Sequence, residues 1–260
     1  MIIIGEKINA TRKTIAAALA ARDESAIIKT AREQVAAGAH YLDINGGDPR
    51  EGMEVKNMAW LIDVVQANTD APIAVDSANP RAVEVGLSKA KKKPILNSIS
   101  LEHDRLNNLL PIVGQYDCMV VALLMSDAGT PSSIDDRVRS AAELIRLLSG
   151  AGKKLDEIII DPCFLAVSTD PNNGRVVIDA IDAIHKRWPE VHIGGGCSNI
   201  SFGLPKRRLV NFALLSQAIY HGMDTGIIDP CIPGIMETIL AAEAVAGRDD
   251  FCMNYVMAMR

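Results

Sequence analysis

The chain carries no surplus of positive charge: 27 Lys and Arg stand against 32 Asp and Glu, giving a net charge of −5 and a pI near 5.6. A protein that neutralises phosphate backbones needs a basic face, so the composition argues against nucleic acid as a partner. The one basic run, Lys91 to Lys93, reads as a solvated loop ahead of a strand. Long apolar runs are missing too. MIIIGEKINA at the start is too short and wrongly flanked for a signal peptide, and no run elsewhere approaches the roughly 18 apolar residues of a membrane span. The five cysteines contain no CxxC pair and lack the density of a disulfide scaffold, which fits a reducing compartment and predicts a soluble, cytoplasmic protein. No low-complexity linker divides the sequence. STDPNNG, Ser168 to Gly174, reads as a surface loop, so a single domain over residues 1–260 is expected.

What is present is a regular alternation. Apolar, Ile/Leu/Val-rich runs begin near Ile2, Tyr41, Pro72, Pro94, Cys118, Glu157, His192 and Thr225. Helical patterns lie between them. In one, from Ser25 to Ala37, the residues Ile27, Ile28, Ala31 and Val35 recur at helical spacing, with Asp23 to cap it and Gly38 to stop it. Another follows Ser132 and Ser133, has Asp135 and Asp136 in its first turn, and closes at Gly150 and Gly152. Strand followed by helix, repeated, implies parallel strands joined by right-handed crossovers. About eight such units in 260 residues predict an α/β fold of the (β/α)8 TIM-barrel class, with an open doubly wound sheet as the alternative. The residues after Gly247 follow the eighth helix, to extend it or to cover the barrel bottom or a partner subunit.

Polar side chains sit where the apolar runs stop. They are Glu6 and Asn9, Asp43 and Asn45, Asp76 and Asn79, Asn97, Asp161, Ser198 and Asn199, and Asp229. Barrel enzymes keep their chemistry at that end of the strands. Carboxylates accept hydrogen bonds and amides both donate and accept, so the set suits a neutral heterocycle with N–H groups and ring nitrogens. It holds no histidine and little positive charge, which argues against phosphoryl transfer and a serine-type triad. Any one of these residues can equally cap a helix or pin a turn; groups of this kind on seven strands are harder to explain by capping alone.

GEKINATR, LDINGG, VDSANP, LNSIS, the IIIDP run and above all CSNISFGLPKRR resemble the pterin-binding methyltransferases. That family includes the methyltetrahydrofolate:corrinoid protein methyltransferases and the folate domain of cobalamin-dependent methionine synthase. The resemblance runs over essentially the whole chain in the right order. It implies a barrel whose mouth binds tetrahydrofolate or methyltetrahydrofolate, and methyl transfer between the folate 5-nitrogen and the cobalt of a corrinoid (cobalamin) carried by a separate corrinoid protein. It implies that Asp76, Asn97 and Asp161 hydrogen-bond the pterin ring, with Ser198 beside them. Asn199 matches the catalytic amide at the reacting nitrogen, which helps to stabilise that nitrogen in its protonated form. Glu6, Asp43 and Asn45 would form the floor or a water network. Gly196, in the run Gly194 to Gly196, would permit close approach of the ligand. Lys206 and Arg207 would meet the folate tail or an acidic patch on the corrinoid protein, or else form a solvated first helical turn. The family also implies a homodimer, to which a tail with Met253, Met257 and Met259 would contribute.

Dihydropteroate synthases share this barrel and pterin site, but their Gly-rich lysine motif after the sixth strand is replaced here by PCFLAVSTD, and their Ser-Arg-Lys motif by Ser198, Asn199 and Ile200. A second alternative is an open zinc site made by Cys163, Cys197 and Cys231 just beyond the sixth, seventh and eighth strands, activating a thiol acceptor. Against it stands the commoner fate of free cysteines, small thiols packed under loops, and the expectation is a site without metal. A third is a non-catalytic subunit that binds folate or the corrinoid protein. Direction of transfer and the upstream methyl donor are not readable in the residues.

Overall fold

The apolar runs become eight strands in the computed structural model, which describes residues 1–260. They are β1 (Ile2–Asn9), β2 (Tyr41–Asn45), β3 (Ile73–Asp76), β4 (Ile95–Leu101), β5 (Met119–Ser126), β6 (Ile158–Asp161), β7 (His192–Ile193) and β8 (Thr225–Ile228). Two helices, α1 (Lys13–Ala21) and α2 (Glu24–Ala36), follow β1. One helix follows each later strand: α3 (Met53–Asn68), α4 (Pro80–Lys89), α5 (His103–Gln115), α6 (Ile134–Gly150), α7 (Asn173–Arg187), α8 (Arg207–Tyr220) and α9 (Ile235–Val245), with a short α10 (Met253–Ala258) at the end.

All neighbouring strands are parallel, in the order β7-β6-β5-β4-β3-β2-β1-β8. The sheet closes between β7 and β8 through a parallel bridge from Gly196 to Ile227. Two hydrogen bonds hold it, Asp224 N–H to the Ile193 carbonyl at 3.0 Å and Ile227 N–H to the Gly195 carbonyl at 2.9 Å. Gly194 makes this approach possible, since a Cβ there would overlap the Thr225 carbonyl. The (β/α)8 barrel expected from the alternation is the fold observed.

The helices end as their sequences indicate. Asp23 accepts a hydrogen bond from Ala26 N–H at 3.2 Å and starts α2, and Gly38, at φ 99°, turns the chain toward β2. Ser133 accepts from Asp136 N–H at 3.1 Å to start α6, whose exit uses Gly152 at φ 91°. Two apolar layers result. The larger fills the space between barrel and helices, with Ile3, Leu42, Val75 and Ile160 facing Ile27, Leu61 and Leu144. The smaller plugs the barrel itself and consists of Ile4, Ala74, Ile95, Met119, Val121, Ile159 and Ile227. Each such side chain contributes about 1.5–3 kcal/mol when fully buried if it is Ile, Val or Met. The tail neither extends α9 nor covers the barrel: it turns at Asp249, whose carboxylate accepts from Asn254 and Tyr255 N–H, and forms α10 beside α9. No helix is long and apolar enough to cross a membrane.

Candidate functional site

The polar site is the next layer above the plug. Side chains two apart on a strand share a face, so Ile4 is followed by Glu6, Ala74 by Asp76, Ile95 by Asn97 and Ile159 by Asp161. Tyr41, packed against the plug, is likewise followed by Asp43. Strand β1 then carries one extra residue. Its register against β2 shifts between Gly5 and Ile8, and Lys7 N–H leaves the ladder to donate to the Gln34 side chain at 2.9 Å. A Cβ on Gly5 would lie 2.6 Å from that same oxygen. Glu6 faces inward by its two-residue spacing from Ile4, and the bulge turns Ile8 outward to the core between barrel and helices.

These side chains line a cavity of about 380 Å³ at the C-terminal mouth, within the range of small-molecule pockets. Of the residues expected from the sequence, Glu6, Asn9, Asp43, Asp76, Asn97, Asp161, Gly196, Ser198 and Asn199 line it. The other two stand behind it. Asn45 donates from Nδ2 to Asp76 at 3.0 Å, and Arg207 holds the turn that carries Ser198 and Asn199. Its guanidinium donates to the Ser198 carbonyl at 2.5 Å and to the Ser201 hydroxyl at 2.9 Å. Arg12, not singled out from the sequence although it closes the GEKINATR motif, also lines the cavity and pairs with Glu6 at 2.9 Å. Asn79 and Asp229 serve local structure. Asn79 caps α4 by accepting from Arg81 N–H at 3.1 Å, and Asp229 pins a turn through Cys231 N–H at 3.0 Å.

The carboxyl groups are crowded, and amides separate them. Asn97 Nδ2 donates to Asp43 at 3.0 Å, as Asn45 does to Asp76. Burial raises the pKa of Asp43 well above the usual carboxylate range, the Asp76 charge adds to this, and the Asn97 hydrogen bond opposes it. Asp76 is raised by burial against the pull of Asn45 and of the Arg105 guanidinium. Glu6 is raised by burial against Arg12. Asp161 is 9% exposed and is pushed up to about 6 by burial, despite accepting from Cys163 N–H at 2.9 Å and Gly196 N–H at 3.4 Å. Gly195 makes room for it, because a Cβ there would overlap the carboxylate. The glycine run therefore closes the barrel, seats Asp161 and lines the cavity, one residue for each task.

Asn199 differs from the other amides. It sits in a 3-10 turn, Cys197–Ser201, at the exposed rim, and no hydrogen bond within the chain engages its side chain. Both its donor and its acceptor are available to a ligand.

The three cysteines do not converge on one another as a ligand set, and no group of three or more His, Cys, Asp or Glu side chains is placed to hold a metal. Cys163 and Cys197 are buried thiols that donate to the Leu124 carbonyl at 3.1 Å and the Gly195 carbonyl at 3.2 Å. Burial pushes the Cys163 thiol up to about 12 and raises that of Cys197, the opposite of what a thiolate ligand requires. Cys231 is half-buried beyond β8.

A family model described as pterin binding enzyme matches residues 5–229, from the first strand to just past the eighth. The chain is a member of the pterin-binding enzyme family. Among its relatives in that family, the methylcorrinoid:tetrahydrofolate methyltransferase of Eubacterium limosum is 34% identical, over 100% of this chain and 96% of its own length. The methionine synthase of Mycobacterium tuberculosis is 28% identical over 88% of this chain, which corresponds to only 20% of that larger protein. Solved structures share the fold at lower identity. The dihydropteroate synthase of Coxiella burnetii superposes with a TM-score of 0.75 at 18% identity, covering 94% of this chain and 93% of its own, and that of Yersinia pestis with 0.75 at 16%, covering 95% and 93%. At that distance the likeness speaks for the barrel fold alone.

Proposed function

We propose that this protein is an enzyme that transfers a methyl group between the 5-nitrogen of tetrahydrofolate and a corrinoid carried by a separate protein. The observation that carries the reading is the mouth itself: a ring of acceptors around Asp76, Asn97 and Asp161, with Asn199 free at the rim. The full-length relative supports the same reaction, and its name has the methyl group moving from corrinoid to tetrahydrofolate; we assign that direction here.

The donor set fits a reduced pterin. Its amino group and ring N–H groups need acceptors, and Asp161 and Asp76 provide them inside the cavity, where a paired carboxylate is stronger than in water. Asn97, its Nδ2 committed to Asp43, offers its carbonyl to the ring. The corrinoid, when docked, supplies a cobalt that gives up or takes the methyl group. Methylation of N5 makes that nitrogen cationic until its proton leaves, and in reverse N5 must carry positive charge before the methyl group departs. The Asn199 side-chain carbonyl accepts from the protonated N5 in either case and does not titrate. Ser198, donating to Glu6 at 3.3 Å, and Arg207 hold the turn that presents it.

Mixing the protein with tetrahydrofolate and methylcobalamin and following the visible spectrum tests this directly. Transfer is expected, and Asn199→Ala should lower kcat by roughly 10- to 1,000-fold, as loss of one transition-state hydrogen bond does, with folate affinity changed less than about threefold. Tight folate binding without methyl transfer, even with a native corrinoid protein present, would leave the non-catalytic binding subunit as the better description.

We further propose a cytoplasmic homodimer. Apolar side chains on the tail favour it: Phe251 is 96% and Met257 66% exposed, beside Met253. Sedimentation should give twice the chain mass, and Phe251→Asp with Met257→Asp should give the monomer; a monomeric wild type would remove the proposal.

A further inference from the structure

The largest fully buried side chain is a charged one that lies outside the cavity. Arg137, on α6, is 1% exposed. Its Nε donates to the Pro162 carbonyl at 2.8 Å, its Nη1 has no hydrogen-bond partner, and no carboxylate pairs with it. Its neighbour Asp136 faces outward, accepting from Ser133 and paired with Arg139. A buried, uncompensated guanidinium is costly, and an apolar residue of similar volume would pack there at less expense. Its one clear bond therefore points to what it does.

That bond ends on the turn which carries Asp161. Pro162 follows Asp161 directly, and Cys163 then adopts φ 63°, a left-handed conformation that a residue with a side chain rarely takes. Two contacts hold the turn. Arg137 fixes the Pro162 carbonyl from the α6 side, and the Cys163 thiol donates to the Leu124 carbonyl on β5 at 3.1 Å. Held in this way, Cys163 N–H reaches Asp161 Oδ1 at 2.9 Å, while Gly196 N–H approaches Oδ2. Without the clamp the Pro162 peptide is free to rotate, and the amide that orients the carboxylate moves with it.

We propose that Arg137 is a positioning residue for folate binding: by clamping the Pro162 carbonyl it fixes the Cys163 amide, and through it the angle at which Asp161 meets the ring N–H groups. The assignment rests on the folate reading of the site. It predicts an effect on folate and none on the corrinoid side, because the turn lies at the cavity wall on β6 and Asn199 at the rim.

The test is a double-mutant cycle on the folded protein, read as the folate Kd and the separate KM values for folate and methylated corrinoid. Arg137→Met should raise the folate Kd and KM at least tenfold, with kcat at saturating folate and the corrinoid KM within twofold of wild type. Arg137→Lys, which keeps one N–H for the carbonyl, should restore most of the affinity. In an Asp161→Asn background, Arg137→Met should cost less than threefold further. A folded Arg137→Met that binds folate as wild type does, or a loss of the same size in the Asp161→Asn background, would overturn the proposal. Should Arg137→Met fail to fold, the same cycle is run with Arg137→Leu, which likewise has no donor, and equal losses with and without Asp161 count against the clamp. If wild type itself binds no folate, the folate reading falls. The clamp is then judged by the Cys163 amide proton shift, which moves upfield in Arg137→Met or Arg137→Leu if Arg137 holds the turn and stays in place if it does not.

Discussion

Asp161 is a carboxyl group whose surroundings oppose its own charge. Burial raises its pKa from 3.8 to about 6, so the folded protein holds a proton there that the unfolded chain has already released. The sign follows. This group's contribution to stability is complete below pH 4, falls as pH rises through the interval from 3.8 to 6, and is constant above it. At about 1.36 kcal/mol per pH unit the loss amounts to about 3 kcal/mol. Asparagine does not titrate, so the unfolding free energy of Asp161→Asn minus that of wild type should grow by about that amount between pH 4 and pH 7. Urea titrations at the two pH values measure the difference, and a value that does not change with pH would contradict the burial argument. The same energy suits the binding role proposed for Asp161: a charge that the empty barrel tolerates poorly is one that a ligand with N–H donors would relieve.

At the level of elements, the Gly194 to Gly196 run separates structure from function within three residues. A Cβ at Gly194 meets the backbone of β8 across the closing seam of the barrel, where nothing flexible can yield. A Cβ at Gly196 meets only the end of the Asn199 side chain, at 3.0 Å. Gly194→Ala should therefore cost at least about 2 kcal/mol of stability, by overpacking, whereas Gly196→Ala should change stability by less than about 1 kcal/mol and lower turnover by displacing Asn199. Thermal denaturation and kcat on the two variants decide this, and equal stability losses would refute the division. Much of this level was readable beforehand. All eight strand starts and both caps, at Asp23 and at the Ser132–Ser133 pair, are local signals, and the structure places them within a residue of the expected positions. The inward line of Glu6, Asp76, Asn97 and Asp161 is period-two patterning above an apolar plug, equally present in the sequence. What could not be read is contact across strands. That Asn97 spans to Asp43, that Asn45 donates to Asp76 and that Gly194 faces Thr225 are consequences of the strands' assembly into a barrel, which brings together residues 31 to 54 positions apart.

Closure also governs the whole molecule. Strand β1 pairs with β8, Ile2 to Thr225 through Gly5 to Ile228, so the first and last strands of the barrel are neighbours and neither half completes the plug alone. Ile4 and Ile227 belong to one apolar layer although they stand at opposite ends of the barrel sequence. We therefore propose that residues 1–260 unfold as one domain, and scanning calorimetry should show a single transition with a calorimetric enthalpy equal to the van't Hoff value. The cavity proposed to bind folate spans strands from both halves, from Glu6 and Asp43 to Asp161 and Asn199, so folate bound there would stabilise the entire unit and not a part of it. At a free concentration one hundred times Kd the gain is about 2.7 kcal/mol. For a chain of this length, with an unfolding entropy of about 2.1 cal/mol/K per residue, that moves the single midpoint up by about 5 °C. Two transitions, only one of them shifted by tetrahydrofolate, would show that the barrel's halves fold apart and that the site belongs to one of them.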